Sequence, residues 1–511
     1  GLLSPDEQEE AERITGAYLG MRPSERAALA HLDELKALSG ASRRVIVSYA
    51  LADETGRALR EGTAVQALRR IFPEMPVQGG MAEEEEIAML CAREPALEAL
   101  SVYLSDAADG RREWAPEYGA AYAALAGDEE GMASLRMITE NLGSEPERRL
   151  ESAQARRLYG RPVISVSRLE TFAQCPYRHF IRYGLAPQEE KEAGVDRAEL
   201  GTLYHEAADR FTRAVTALPE FPQVEPDVCD RLMDEAIAPL IEKWRASPLG
   251  SSARGDAVAR RIGKTARRTA RNMVSQYAGS RFRPLCTELV FGQNGIAPIM
   301  LELPDGTFVY LQGRIDRVDV LDAEEKVIRI VDYKSGGQRF DPTMVYGGLQ
   351  LQLLLYLAAA LAQIPGSHAG GFFYCRIADP MIRSESRIRE EIERQIAQKL
   401  SLAGISLSDV HILRAQDEYH AAMVTREGKP NGRYAAAMVD EEGMQSMIGF
   451  AEKKAAELAA GAYAGIIAHV PAQRGAFTAC QTCRYAAVCG FDPTRHVKKR
   501  LSKKTLEDLR E

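Results

Sequence analysis

The sequence predicts an α/β protein, a mixed sheet flanked by helices and preceded by a mostly helical segment. Three observations carry the prediction. Residues 1–40, and most of the text up to about residue 142, space apolar side chains three and four residues apart, the period of an amphipathic helix. Between residues 287 and 375 the text turns β-branched and reads as three strands, a helix and a fourth strand. Asp322-Ala323-Glu324-Glu325 makes a turn between the second and third of those strands, so the two read as a hairpin.

In chain order, residues 7–21 and 24–38 read as helices, residues 44–49 as a short buried strand, and residues 63–71 as a helix that stops before Pro73. Residues 81–104 read as a helix whose acidic run Glu83 to Glu86 suits the positive end of the helix dipole. Gly143-Ser144-Glu145-Pro146-Glu147 marks a boundary, which gives a helical region 1–150, a second domain 160–495 and a basic tail 496–511. The second domain opens with Ser167 as a helix cap and Glu170 three residues on, a capping box. Pro176, next to Cys175, kinks or stops that helix. Helices follow at 199–217, 226–246 and 256–278, then strands at 287–291, 308–320 and 327–332. A helix at 344–363, a strand at 370–375 and helices near 385–401 and 440–461 complete the domain.

Charge and composition narrow the function classes. The 511 residues carry a net charge of −8, so the whole molecule does not advertise nucleic-acid binding. The distribution says more. Residues 254–283 hold nine basic side chains against Asp256 alone, and Arg260, Lys264, Arg267 or Arg268, and Arg271 form a stripe at helical spacing. Such a stripe is either a solvated helix face or a contact to a phosphate backbone. The tail adds His496, Lys498, Lys499, Arg500, Lys503 and Lys504. No run of 18 apolar residues exists, which argues against a transmembrane helix, and no secretory pattern opens the chain. A cytoplasmic protein is expected. The opening Gly-Leu-Leu-Ser-Pro-Asp without an initiator Met reads as part of something longer.

Of the eight cysteines, Cys480-x-x-Cys483-x5-Cys489 is a tight group, with Cys175 about 300 residues earlier. In a chain with no mark of secretion, grouped cysteines are better metal ligands than disulfides. Spacing alone leaves zinc and an iron–sulfur cluster both open. Cys91, Cys229, Cys286 and Cys375 read as small buried side chains.

The chemistry concentrates at Val331-Asp332-Tyr333-Lys334-Ser335-Gly336 and the upstream Gly313-Arg314-Ile315-Asp316-Arg317. Strand side chains alternate faces, so Asp332 and Lys334 project to the same side. The hairpin lets Asp316 lie beside Asp332. Two carboxylates suit a hard divalent cation, and cation and lysine together can activate water and stabilise charge on a phosphate. Asp319, three residues from Asp316, faces the other way. Gln352 and Tyr356, four apart on the next helix, share a face. His205 lies on a helix before the sheet. Gly263-Lys264-Thr265 lacks the glycine pattern of a phosphate loop and sits in helical text.

The ordered set His205, Gly-Arg-Ile-Asp-Arg-Val-Asp, Asp-Tyr-Lys-Ser-Gly and Gln-x-x-x-Tyr, over residues 160–495, resembles the RecB-like branch of the PD-(D/E)XK nucleases. The resemblance implies a restriction-endonuclease-like fold. It implies that His205, Asp316, Asp332 and the backbone carbonyl of Tyr333 bind Mg²⁺ or Mn²⁺, that Lys334 orients the attacking water, and that Gln352 and Tyr356 hold DNA. The cysteine pattern is similar to the iron–sulfur staple of AddB-type helicase–nuclease subunits, which implies a [4Fe-4S] cluster on Cys175, Cys480, Cys483 and Cys489. Residues 1–150 resemble the helicase-like region that precedes the nuclease in that family. Together these imply an exonuclease that trims single-stranded DNA, the 5′-ended strand, in double-strand break repair, as a heterodimer with an AddA-type helicase subunit. Two rivals are a free-standing RecB-like or CRISPR-associated exonuclease and a DNA-binding scaffold with a decayed site. The helical front argues against the first, and the full residue set against the second.

Overall fold

The computed structural model describes residues 5–16, 18–52, 58–76, 87–108, 112–140, 149–188, 197–245, 252–293, 296–322, 324, 326–382, 388–491 and 497–510. Outside them lie residues 53–57, the acidic run Glu83 to Glu86, the boundary text Gly143 to Glu147, two residues of the hairpin turn (Ala323 and Glu325) and His496. The chain divides into two units, Gly1–Ser144 and Glu145–Glu511.

The described part of the first unit is helical: α1 (Pro5–Thr15), α2 (Pro23–Ser39), α3 (Thr63–Ile71), α4 (Arg93–Ala108), α5 (Pro116–Leu125) and α6 (Glu129–Glu140). Its core is Leu100, Tyr103, Tyr118, Leu125 and Leu135, with the Tyr103 and Tyr118 rings stacked at 3.7 Å. The buried strand expected at 44–49 does not form. A strand needs a hydrogen-bonded neighbour, and the described residues of this unit offer it none. Ile46 is 82% exposed, with Val45 and Val47 also accessible.

The second unit is built on a mixed sheet of β1 (Val163–Ser165), β2 (Arg283–Phe291), β3 (Ile299–Glu302), β4 (Phe308–Val320), β5 (Val327–Lys334), β6 (His368–Arg376), β7 (Ala403–Leu407) and β8 (Met438–Val439). The order is β1-β4-β5-β6-β7-β8, with β2 and β3 also on β4. The expected hairpin is the antiparallel β4–β5 pair, in register Arg317 to Val331 and Val318 to Ile330. The next step out of β5 is a parallel crossover to β6, and a parallel return needs a helix between the strands.

That crossover holds α12 (Pro342–Tyr346) and α13 (Gln352–Gln363). The sequence pattern suggests one helix over 344–363. It is broken because Gly348 takes φ +81° and packs so closely that a Cβ would sit 2.8 Å from Leu458 and 3.2 Å from Ala173. The remaining helices are α7 (Ser152–Tyr159), α8 (Val166–Gln174), α9 (Arg197–Thr216), α10 (Pro226–Arg245), α11 (Ala253–Ala278), α14 (Arg389–Lys399), α15 (Val410–Gln416) and α16 (Glu441–Tyr463), besides single-turn segments.

Alternation along β4 and β5 sorts their side chains into two cores. Val318, Ile328 and Ile330 pack with Leu354 of α13 and Met447 of α16. Val331, Tyr333, Phe373 and Cys375 pack with Phe211 of α9, Met233 of α10 and Met273 of α11. The C-terminal residues belong to this unit too. β11 (Lys499–Arg500) pairs with β9 (Ala472–Arg474), which also pairs with β10 (Phe477–Thr478), while Leu506 and Leu509 are buried in the first core.

Candidate active site

The β4–β5 register ends with Arg317 opposite Val331, so the next residues outward, Asp316 and Asp332, face each other. Both are buried. Asp316 Oδ2 accepts a 2.8 Å hydrogen bond from the backbone N–H of Tyr333, which ties the carboxylate to the end of β5. His205 reaches it from α9, in the helix layer of the second core, with Nδ1 3.1 Å from Asp316 Oδ2. Burial disfavours charge on His205, but the hydrogen bond and negative charge of Asp316 outweigh it and lift its pKa above the ordinary histidine value.

Lys334 and Gln352 complete the group. Gln352 Oε1 accepts from Lys334 Nζ at 3.1 Å, while its Nε2 donates to Asp332 Oδ1 at 2.9 Å. Lys334 Nζ also stands 2.6 Å from Asp332 Oδ2, close enough for an ion pair but off the hydrogen-bond direction, and that buried oxygen has no aligned donor. Burial pushes the Asp332 carboxyl up to about 6; Lys334 opposes the rise and Asp316 adds to it. Tyr356, one turn along α13, is buried beside Phe291 at an inter-ring distance of 5.7 Å. Burial raises its pKa well above the ordinary phenol value, and a hydrogen bond with Gln352 opposes that. The Tyr333 side chain lies in the opposite core, its hydroxyl accepting from Arg317 at 3.1 Å.

The local spacing pairs Glu170 with Ser167 in a capping box. The structure gives both a different place. Ser165 caps α8, accepting from the Arg168 N–H at 3.3 Å. Glu170 is thereby free to cross to α13, where its Oε1 accepts the backbone N–H groups of Leu351 at 2.8 Å and Gln352 at 3.2 Å. It caps the helix that carries Gln352. Burial lifts its pKa to about 7 against the pull of those two amides and of Lys334. No local spacing could signal a cap supplied from 181 residues away.

The basic stripe on α11 is largely paired with carboxylates of its own unit, Arg260 being in no ion pair among the described residues. Lys264 pairs with Asp379, Arg267 with Asp234, Arg268 with Asp379 and Glu393, and Arg271 with Asp230. Gly263-Lys264-Thr265 lies inside that helix, as its setting implied.

The second constellation gathers at one apolar cavity. Cys175, Cys480, Cys483 and Cys489 all line it, with Tyr177, Ile181 and Phe491. Cys175 ends α8 in an extended conformation (φ −169°), and Pro176 starts the next turn. Burial raises the thiol of Cys175, and that of Cys489 to about 11; in both, neighbouring cysteines of the group add to the rise, so the thiols lie within electrostatic reach of one another. No cysteine is in a disulfide, and Cys91, expected to be buried, is exposed.

Among the described residues, no three His, Cys, Asp or Glu side chains are arranged to hold a metal ion as they stand. The donor chemistry nonetheless suits metal at both places. Hard carboxylate oxygens and an imidazole meet at Asp316, Asp332 and His205, where one buried oxygen lacks a donor. Soft thiols meet at the cavity, with backbone N–H groups directed at Cys175 and Cys489.

The fold and this site define the class. Residues 163–490 match the model of the PD-(D/E)XK nuclease superfamily, and the chain belongs to that superfamily, whose nucleases generally use divalent metals. Over nearly its whole length it is similar to proteins named as one subunit of an ATP-dependent helicase/deoxyribonuclease. It is 31% identical to the one from Moorella thermoacetica, covering 95% of this chain and 44% of that protein. With the one from Clostridium tetani it shares 31%, covering 87% and 40%. With that of Alkaliphilus oremlandii it shares 28%, covering 93% and 43%. The chain thus spans less than half the length of these relatives. No helix among the described residues is long and apolar enough to cross a membrane.

Proposed function

We propose that the chain is the nuclease-bearing part of a helicase–nuclease subunit, hydrolysing phosphodiester bonds of single-stranded DNA with Mg²⁺ or Mn²⁺. One observation carries the reading: His205, Asp316, Asp332, Lys334 and Gln352 converge where the pairing of β4 with β5 ends, inside a domain of the nuclease superfamily. His205, Asp316, Asp332 and the Tyr333 carbonyl would hold the cation. Bound there, a divalent cation supplies a nucleophilic water at neutral pH and neutralises charge on the phosphate.

The protein's own part is positioning. Gln352 grips Lys334 and Asp332 at once, so ammonium and carboxylate keep one spacing. Lys334 orients the attacking water and meets the phosphate's negative charge. Tyr356, linked to Gln352, supports the DNA strand beside the site. Glu170 anchors the whole of α13 under them.

Cys175, Cys480, Cys483 and Cys489 would hold a [4Fe-4S] cluster, clipping the start of the domain to its end. The names of the relatives support a helicase–nuclease assembly; an AddA-type partner, a role in double-strand break repair in the cytoplasm and action on the 5′-ended strand belong to this reading as what the family resemblance implies.

Two assays test this. Asp332→Ala and Lys334→Ala should each slow metal-dependent cleavage of end-labelled single-stranded DNA by about 10²–10³-fold while the protein stays folded. Cleavage at the wild-type rate would contradict the site. Anaerobically purified protein should be brown with equimolar iron and sulfide; a colourless protein with stoichiometric zinc would contradict the cluster.

A further inference from the structure

The Gly313-Arg314-Ile315-Asp316-Arg317 motif holds a charged side chain that neither core nor the cation site absorbs. Arg317 is buried in the opposite core and Asp316 is in the site. Arg314 precedes Asp316 by two residues on β4, so both project from the same face. Asp316 is buried, but the Arg314 side chain is 60% exposed.

Arg314 is also held in place. Its Nε lies 2.6 Å from Glu288 Oε2 on β2. The flanking pairs Thr287 to Arg317 and Leu289 to Ile315 set Glu288 opposite Asp316. Glu288 takes φ +55°, the left-handed region that a residue with a side chain adopts only at a cost. Burial acts on its carboxyl first, then Arg314, and after them Asp316, Asp209 and His205. The ion pair therefore sits at the rim of the site.

Substrate electrostatics give the pair a purpose. Asp316, Asp332 and Glu288 repel a polyanion, and Lys334, held by Asp332 and Gln352, serves the scissile phosphate and its water, not the neighbouring backbone. Lys264, Arg267, Arg268 and Arg271 of the basic helix α11 are paired with carboxylates of their own unit. A guanidinium has five donors in a planar fork. With Nε 2.6 Å from Glu288 and the side chain 60% exposed, Arg314 has further donors to offer a phosphate oxygen.

We propose that Arg314 is a phosphate-binding residue of this site, contacting the DNA backbone next to the scissile bond, and that Glu288 is its positioning residue. The proposal rests on the nuclease reading above.

The test is fluorescence anisotropy of the full chain with a labelled oligo-dT strand in EDTA, across a potassium chloride series. Arg314→Gln should weaken binding about tenfold and make the slope of log affinity against log salt shallower by about 0.7, the signature of one lost phosphate contact on a single strand. Arg314→Lys should keep the slope. Glu288→Gln combined with Arg314→Gln should bind no worse than Arg314→Gln alone, since Glu288 acts through that arginine. Thermal melting should not move with the arginine variants, because the side chain is exposed. An Arg314→Gln protein with wild-type affinity and slope would overturn the proposal, and additive losses in the double variant would overturn the role of Glu288. Wild-type protein that does not bind oligo-dT would overturn the nuclease reading itself, and the proposal with it.

Discussion

Asp319 and Asp316 stand three residues apart on the same strand, and their surroundings are opposites. Asp319 is wholly buried between Arg317, with Nε 2.8 Å from one oxygen, and Arg329, with Nε 2.9 Å from the other. Arg329 is bonded in turn to the backbone and side chain of Gln416, and Arg317 to the Tyr333 hydroxyl. Two guanidiniums serve one carboxylate there, and none of the three charged side chains meets solvent. Around the site the balance is reversed: Asp316 and Asp332, two carboxylates, share one lysine and one histidine, and Lys334 is partly open to solvent. A carboxylate becomes available for chemistry when its compensation is incomplete and its neighbours can still move. The fully compensated one holds the sheet together.

That contrast can be broken experimentally. Asp319→Asn would leave two buried guanidiniums without a counter-charge and should cost about 3–5 kcal/mol of stability, read as a lower denaturation midpoint, while the folded fraction still cleaves DNA. An unchanged midpoint would mean that the buried network is idle. A smaller effect sharpens the contrast on the site's own face. Glu170→Ala should cost about 0.5–2 kcal/mol through the lost cap on α13, and slow cleavage by loosening Gln352. Glu170→Gln keeps an acceptor oxygen and should nearly restore both. If Gln behaves like Ala, Glu170 acts through its charge and not as a cap.

Much of this arrangement could be read from the chain. The β4–β5 hairpin and α9 to α11 follow from local periodicity, because each is decided by alternation or helical spacing along a short stretch of chain. The convergence of His205 on Asp316, and of four cysteines on one cavity, came from the ordered motif and its family resemblance, since 111 residues separate the first pair. What escaped was set by tertiary context. The strand-like text at 44–49 found no neighbour. The helix at 344–363 broke where Gly348 meets Leu458 and Ala173. The stripe on α11 met carboxylates from α10, α14 and the segment after β6, which no spacing along α11 reveals. Glu170 and the Glu288–Arg314 pair were hidden for the same reason, each partner lying on another element.

The central claim is that Asp316 and Asp332 form a cation site and Asp319 does not. The direct measurement is calorimetric titration of Mn²⁺ into the wild-type, Asp332→Ala and Asp319→Asn proteins, repeated at several pH values. Binding needs the deprotonated carboxylate, and burial has raised Asp332 to about 6. Affinity should therefore start to fall as the pH drops through the range where His205, its pKa lifted above the ordinary histidine value, takes a proton, and fall more steeply below about 6 as Asp332 does. Asp332→Ala should abolish the site and Asp319→Asn should leave it. Equal Mn²⁺ binding by wild-type and Asp332→Ala protein would contradict the account.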